Sequence, residues 1–182
     1  EGRSVLLVSA GSQWKTLMEL VNWVKARPGQ ANYASAGIGT IAHLNNESFV
    51  QQAGLQVVHV PYKGTQLAVP DILSGQITFM VDSITTAAPQ VLGGKMRALA
   101  VSTIKRAPQL PDLHTVDEQG IKGYDLMTWT SFVAPSGVAA AVLDRMSAET
   151  VKIIHNPDMN KRLIDMGFVP VGSSREQFGA FV

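Results

Sequence analysis

Short apolar runs alternate with amphipathic stretches along this 182-residue chain. Ser4-Val-Leu-Leu-Val-Ser9 is a continuous apolar run, as expected of a buried strand in a parallel sheet. Thr16-Leu-Met-Glu19 then places a hydroxyl and a carboxylate at capping-box spacing. Leu17, Leu20, Val21 and Val24 fall on one face of the helix that follows, and Arg27-Pro28-Gly29 stops it. Asn32 to Ala34 read as a short strand running into a glycine turn. The next helix opens at Gly39 and Thr40, carries Ile41, Leu44 and Phe49 on its apolar side, and ends near Ala53-Gly54. Residues 55–60 read as a strand. A loop at 61–65 leads into a helix reaching about Leu73, in which Pro70 either makes a kink or marks the true first turn. Residues 76–81 form the next strand, with Asp82-Ser83 just past its end. A helix over 84–92, stopped by Gly93-Gly94, and a strand over 96–102 follow.

Residues 103–123 are loop-rich, with Pro108, Pro111, Gly120 and Gly123, and leave room for one or two helical turns at 115–119. A strand is expected over 129–134. Beyond Pro135-Ser136-Gly137, the residues Val142, Leu143, Met146, Ile153 and Ile154 recur at helical spacing, and Asn156-Pro157 ends that helix. Another runs over about 158–166 to Gly167, and a last one starts at Ser173 or Ser174. Strands alternating with helices give an α/β fold, with a mostly parallel sheet flanked by helices. There is no internal repeat.

The turn over 31–44, Ala-Asn-Tyr-Ala-Ser-Ala-Gly-Ile-Gly-Thr-Ile-Ala-His-Leu, organises the chemistry. A helix start offers backbone N–H groups with no internal partner, and the macrodipole adds partial positive charge there. Glycine lets such a backbone approach a ligand closely, and Ser35 and Thr40 add hydroxyls. The combination suits a carboxylate or a phosphate. Turn glycines also serve sharpness alone, so a plain turn is an equal reading of this stretch. It is neither a dinucleotide fingerprint, since no acidic residue ends the next strand, nor a Walker loop, since no Gly-Lys-Ser/Thr follows.

In open α/β sheets, ligands bind beyond the C-terminal ends of strands. Three such ends are polar here: 35–40, Tyr62-Lys63-Gly64-Thr65 and Asp82-Ser83. Lys63 supplies charge or is a solvated loop lysine. Tyr62 forms a wall, donates a hydrogen bond or packs. Asp82 orients a water or a ligand amine, or caps the helix after it. His43, three residues into its helix, more readily packs on the turn beneath it. No histidine pair has metal-ligand spacing and no Gly-x-Ser-x-Gly elbow exists, so neither a metal site nor catalysis is expected.

Composition narrows this further. Hydrophobic residues make up 46%, enough for a sizeable core, and the net charge of +1 comes from interspersed residues, which argues against nucleic-acid binding. No apolar run approaches the roughly 18 residues of a membrane span. The absence of cysteine excludes disulfides and fits, weakly, an exported protein. The start at Glu1, with neither an initiating Met nor a signal peptide, reads as a processed or truncated piece.

Several blocks carry a resemblance: Lys25-Ala-Arg-Pro-Gly29, Asn32-Tyr-Ala-Ser-Ala-Gly-Ile-Gly-Thr40 with His43-Leu44, and Val58-His-Val-Pro-Tyr-Lys-Gly64. Further blocks are Asp71-Ile-Leu-Ser-Gly-Gln76, Gly94-Lys-Met-Arg-Ala-Leu-Ala-Val-Ser102 and Leu110-Pro-Asp-Leu-His-Thr-Val116. Trp129 with Phe132-Val-Ala-Pro135, and Gly167-Phe-Val-Pro-Val171, complete the set. Over essentially its whole length the chain resembles the periplasmic substrate-binding proteins of tripartite tricarboxylate transporters, the Bug family. That resemblance implies a two-lobed, type II periplasmic-binding-protein fold. It implies capture of a small carboxylate, such as an organic or amino acid, for membrane transporter subunits. It implies no catalysis and no cofactor. The implied ligand contacts are Ser35, Ala36, Gly37, Gly39, Thr40 and His43, with Tyr62, Lys63 and Gly64 nearby and Asp82 and Ser83 at the distal end.

On this reading residues 1–9 are a crossing strand, 10–122 the second, ligand-binding lobe, and 123–182 the returning part of the first lobe. The first-lobe segment with its own glycine loop is expected to precede Glu1. The chain alone is then expected to bind its solute weakly or not at all, and its exposed sheet edge and apolar helix faces to favour oligomers or swapped contacts. His114 and Pro70 depart from the family pattern away from the site. Two other classes stay open: the ligand-sensing domain of a transcription regulator, and a small α/β enzyme using the glycine turn for a phosphate.

Overall fold

The computed structural model describes all 182 residues, which divide into two compact units, Arg3–Thr128 and Glu1–Gly2 with Trp129–Val182. The larger unit is built on one sheet of order β3-β2-β4-β1-β5, from β1 (Gly2–Ser9), β2 (Ala31–Ser35), β3 (Val57–Pro61), β4 (Phe79–Ser83) and β5 (Met96–Val101). A two-residue strand, β6 (Met127–Thr128), also pairs with β1. The β3-β2-β4 half is parallel, whereas β1 runs antiparallel to both β4 and β5. The sheet is therefore mixed, and β1 is not the parallel strand its apolar run suggests. An unbroken apolar run reports burial on both faces and carries no direction.

Successive side chains of a strand point to opposite faces, and β1 divides accordingly. Leu6 and Val8 join Leu17, Leu20, Val21 and Val24 of α1 (Leu17–Lys25), together with Tyr33, Phe49, Phe79 and Tyr124. Val5 and Leu7 join Ala34, Ile72, Met80, Ile84 and Val101 on the other face. Thr16 closes the capping box on Glu19 as its spacing predicts.

Helix α2 (Ile41–Gln52) departs from expectation. Its buried face is Ala42, Asn45, Asn46, Phe49 and Val50, and Ile41 and Leu44 stand 55% and 54% exposed. The two asparagines explain the rotation. Asn46 Nδ2 donates to the carbonyls of Ala42 (2.7 Å) and Ala34 (3.3 Å), and its Oδ1 accepts from the Val81 amide (3.0 Å). Asn45 Nδ2 donates to Ser4 Oγ. Buried backbone groups that the sheet leaves unpaired are satisfied by polar side chains at positions that look solvent-facing in sequence.

After β3 a 3-10 turn (Thr65–Ala68) leads into α3 (Val69–Leu73), where Pro70 occupies the first turn. Helix α4 (Ile84–Leu92) follows β4 directly. Residues 115–119 make a single capped turn, in which the Thr115 hydroxyl accepts from the Glu118 amide and the Glu118 carboxylate from the Thr115 amide.

In the smaller unit the strand expected at 129–134 is absent; pairing stops at Thr128, and Phe132 and Val133 are exposed. Strand propensity without a partner edge does not make a ladder. Helices α5 (Ala140–His155), α6 (Pro157–Asp165) and α7 (Arg175–Phe181) follow, with Asn156 serving as C-cap of α5 and N-cap of α6. Glu1 pairs with Val169 through two backbone hydrogen bonds, and Trp129 stacks edge-on against Phe178 and Phe181.

Candidate carboxylate site

Three parallel neighbours, β3, β2 and β4, end side by side. Ser35 pairs with Pro61 and Ala34 with Met80, so 35–40 and 62–64 leave the sheet at one end; Asp82 and Ser83, expected just past a strand over 76–81, are instead the last residues of β4 and pair with Val5 and Ser4 of β1. The Tyr62 amide donates to the Ser35 carbonyl at 3.0 Å, which ties the first two loops together.

The 35–40 loop is held by its own side chains. Thr40 is the N-cap of α2: its hydroxyl accepts from the His43 amide and donates to the Gly37 carbonyl at 2.7 Å. The Ser35 hydroxyl is buried, accepts from the Gly37 amide at 3.1 Å and meets His59 Nε2 at 2.7 Å. Gly37 has φ of +127°, and a Cβ there would come 3.4 Å from the Tyr62 carbonyl, so this turn calls for glycine. The Gly39 amide donates to His43 Nδ1 at 3.2 Å, and the Thr40 amide to the Gly37 carbonyl at 3.3 Å. Four amides of the stretch, at Gly37, Gly39, Thr40 and His43, are thus already partnered. Those of Ala36, Ile38, Ile41 and Ala42 carry no hydrogen bond within the chain, so the unpartnered set differs from the glycine-centred one expected from sequence.

The other expected residues divide. Tyr62 Oη donates to Asp71 Oδ2, a bond that pushes the phenol up to about 12 and fixes its ring. Lys63 is exposed and makes no ion pair, leaving its ammonium available to solvent or solute. Gly64 sits at φ +128° where the chain turns into the 3-10 helix. Asp82 is 8% exposed and both its oxygens are used, Oδ1 by the Ser83 amide and Oδ2 by the Thr86 hydroxyl, each at 2.8 Å. Asp82 thus braces the first turn of the following helix through Thr86 without being its N-cap. Ser83 is the N-cap of α4 and accepts from the Thr85 amide.

Sequence reasoning passed over His59. Its ring stacks on Tyr33 at 4.8 Å and on His43 at 4.2 Å, centroid to centroid. Tyr33 Oη donates to Glu47, whose Oε1 also lies 4.0 Å from His43 Nε2. Burial, reinforced by the His43 charge and partly offset by Glu47, holds His59 below the ordinary histidine value. Burial and the bond to Glu47 push Tyr33 well above the ordinary tyrosine range. The parallel register places Tyr33 opposite His59. Only that register could have revealed the stack.

A family model described as the tripartite tricarboxylate transporter family receptor matches residues 2–182. The chain belongs to that family. A UPF0065 protein encoded in the tcbD-tcbE intergenic region of Pseudomonas sp. strain P51 is 36% identical over 174 residues, 95% of this chain and 52% of the relative. Rpa4515 of R. palustris, solved with adipate, is 26% identical with a TM-score of 0.92, over 99% of this chain and 60% of its own. MatC from Rhodopseudomonas palustris, solved with bound malate, is 27% identical with a TM-score of 0.84, over 97% and 59%. The fold is that of the periplasmic binding proteins of this family. The chain spans about half the length of the curated relatives it matches.

Proposed function

We propose that the protein is a periplasmic solute-binding protein that captures a small carboxylate and presents it to the membrane subunits of a tripartite tricarboxylate transporter. The observation that carries this reading is the run of unpartnered amides at Ala36, Ile38, Ile41 and Ala42, set around the Thr40 cap where the strands end together. A carboxylate accepts several such donors at once, and the dipole of the twelve-residue α2 adds roughly 0.3–2 kcal/mol. Lys63 adds charge beside the loop, and Tyr62 forms a fixed wall. Ser35, Gly37 and Thr40 act by holding the loop's shape, while Asp82 and Ser83 shape the distal edge. The adipate and malate seen in the two structural relatives set the size of solute to try first.

A thermal-shift series of dicarboxylates from four to six carbons, followed by calorimetry on the best, tests the reading. At least one should raise the midpoint in a concentration-dependent way, as a ligand that binds only the folded state must. Thr40→Ala should weaken it about tenfold, equivalent to about 1.4 kcal/mol, by loosening the cap. Because one lobe alone is expected to bind poorly, the series is run on protein carrying both lobes, and absence of any shift there, with the protein folded, would refute the reading.

A further inference from the structure

The stack of His43, His59 and Tyr33, closed by Glu47, is not explained by carboxylate binding alone. Its position is specific: His43 Nδ1 accepts the Gly39 amide (3.2 Å) and His59 Nε2 meets the Ser35 hydroxyl (2.7 Å), so the two rings fasten both ends of the 35–40 loop. An imidazole nitrogen that accepts an N–H bond has no proton of its own, so the Gly39 bond exists only while His43 is neutral.

We propose that His43 and His59 form a proton-operated latch on this loop: a proton taken up by the pair breaks the Gly39–His43 bond and frees the Gly39 amide for an anion. The geometry selects the ring. Glu47 Oε1 lies 4.0 Å from His43 Nε2, while the His59 ring packs against Tyr33 and His43 with no carboxylate at that distance. Rings 4.2 Å apart do not both hold a charge readily, so the pair takes one proton before a second. Once His43 Nδ1 carries a proton it faces the Gly39 N–H donor to donor, and the amide turns outward. The groups facing the pair are Tyr33 from β2 and Glu47 from α2, and the Tyr33 hydroxyl already donates to Glu47. Only the identity of the incoming anion rests on the function proposed above. Any solute that uses the freed amide takes up as much as one proton, and by linkage its affinity rises as pH falls, by up to about tenfold per pH unit within the transition.

The test uses ligand-free protein. In 1H–15N spectra between pH 5 and 8 the Gly39 amide should titrate with the same midpoint as the His43 ring carbons. In His43→Asn, which keeps an acceptor beside Gly39 but has no proton to gain, that titration should vanish and the His59 midpoint should move up. A Gly39 amide that stays flat while the His43 ring titrates, or that still titrates in His43→Asn, overturns the latch. Adding malate to the same samples keeps the two ideas apart: the ligand-free Gly39 titration stands or falls whether or not malate binds.

Discussion

In the Arg3–Thr128 unit both faces of the sheet are covered, whereas none of the three helices of the Trp129–Val182 unit contains a buried residue. The apolar periodicity is comparable in the two. Leu17, Leu20, Val21 and Val24 are buried on α1, while Val142, Met146 and Ile153 at the same kind of spacing on α5 stand half exposed. Periodicity specifies a face that is able to bury; only a second layer turns it into a core. Helices α6 and α7 are held instead by local devices. The Asn156 side chain accepts the Asp158 and Met159 amides, and Ser174 forms a capping box with Gln177. Such caps contribute about 0.5–2 kcal/mol each, similar to burying one aliphatic side chain, and α1 buries four as well as being capped.

The largest effect expected from this contrast comes from deleting one ring in each unit. Phe79 is fully buried and touches the rings of Tyr33 and Phe49. Phe79→Ala should cost about 3–5 kcal/mol in urea unfolding. Phe181→Ala, at a residue 60% exposed that contacts Trp129 and Phe178, should cost less than about 1 kcal/mol. Comparable costs at the two positions would break the comparison.

A smaller effect should appear with pH, carried between pH 5 and 11 by residues of the larger unit. His59 is held low in the fold, so the unfolded chain binds a proton more readily; stability is complete above the ordinary value of about 6.5 and falls as pH drops below it. Asp117 and Glu118 are held below the carboxylate range by Gly123, Lys122, Arg106 and Thr115, so their protonation comes at lower pH and does not mask this window. His59→Gln should flatten the stability curve between pH 6.5 and 5. On the alkaline side Tyr33, Tyr62 and Tyr124 are all pushed up, which favours the folded protein below the ordinary tyrosine value of 10.0 and is lost as pH rises beyond it. Thermal midpoints measured across pH 5–11 check both limbs.

What was legible in sequence was mostly local. The Thr16 capping box, the helix opening at Gly39-Thr40 and the break at Asn156-Pro157 depend on neighbours a few residues away and stand where their residues place them; of the alternatives left open, Ser174 rather than Ser173 caps the last helix and Pro70 lies in a first turn. Features that depend on distant partners were not legible. The direction of β1 is set by its pairing with β4 and β5, and the rotation of α2 by Asn46 reaching Val81. The site shows the same division. The glycine turn, its hydroxyls and His43 against the turn beneath it could be read from 35–43, but not the His59 ring on the Ser35 hydroxyl, which β3 brings from 24 residues away.

The central claim is that the amides around the Thr40 cap hold a carboxylate, and titrating the protein with malate or adipate while following every backbone amide by NMR tests it most directly. The account predicts that Ala36, Ile38, Ile41 and Ala42 move together with one affinity. Saturable binding that leaves those four amides unshifted would contradict it.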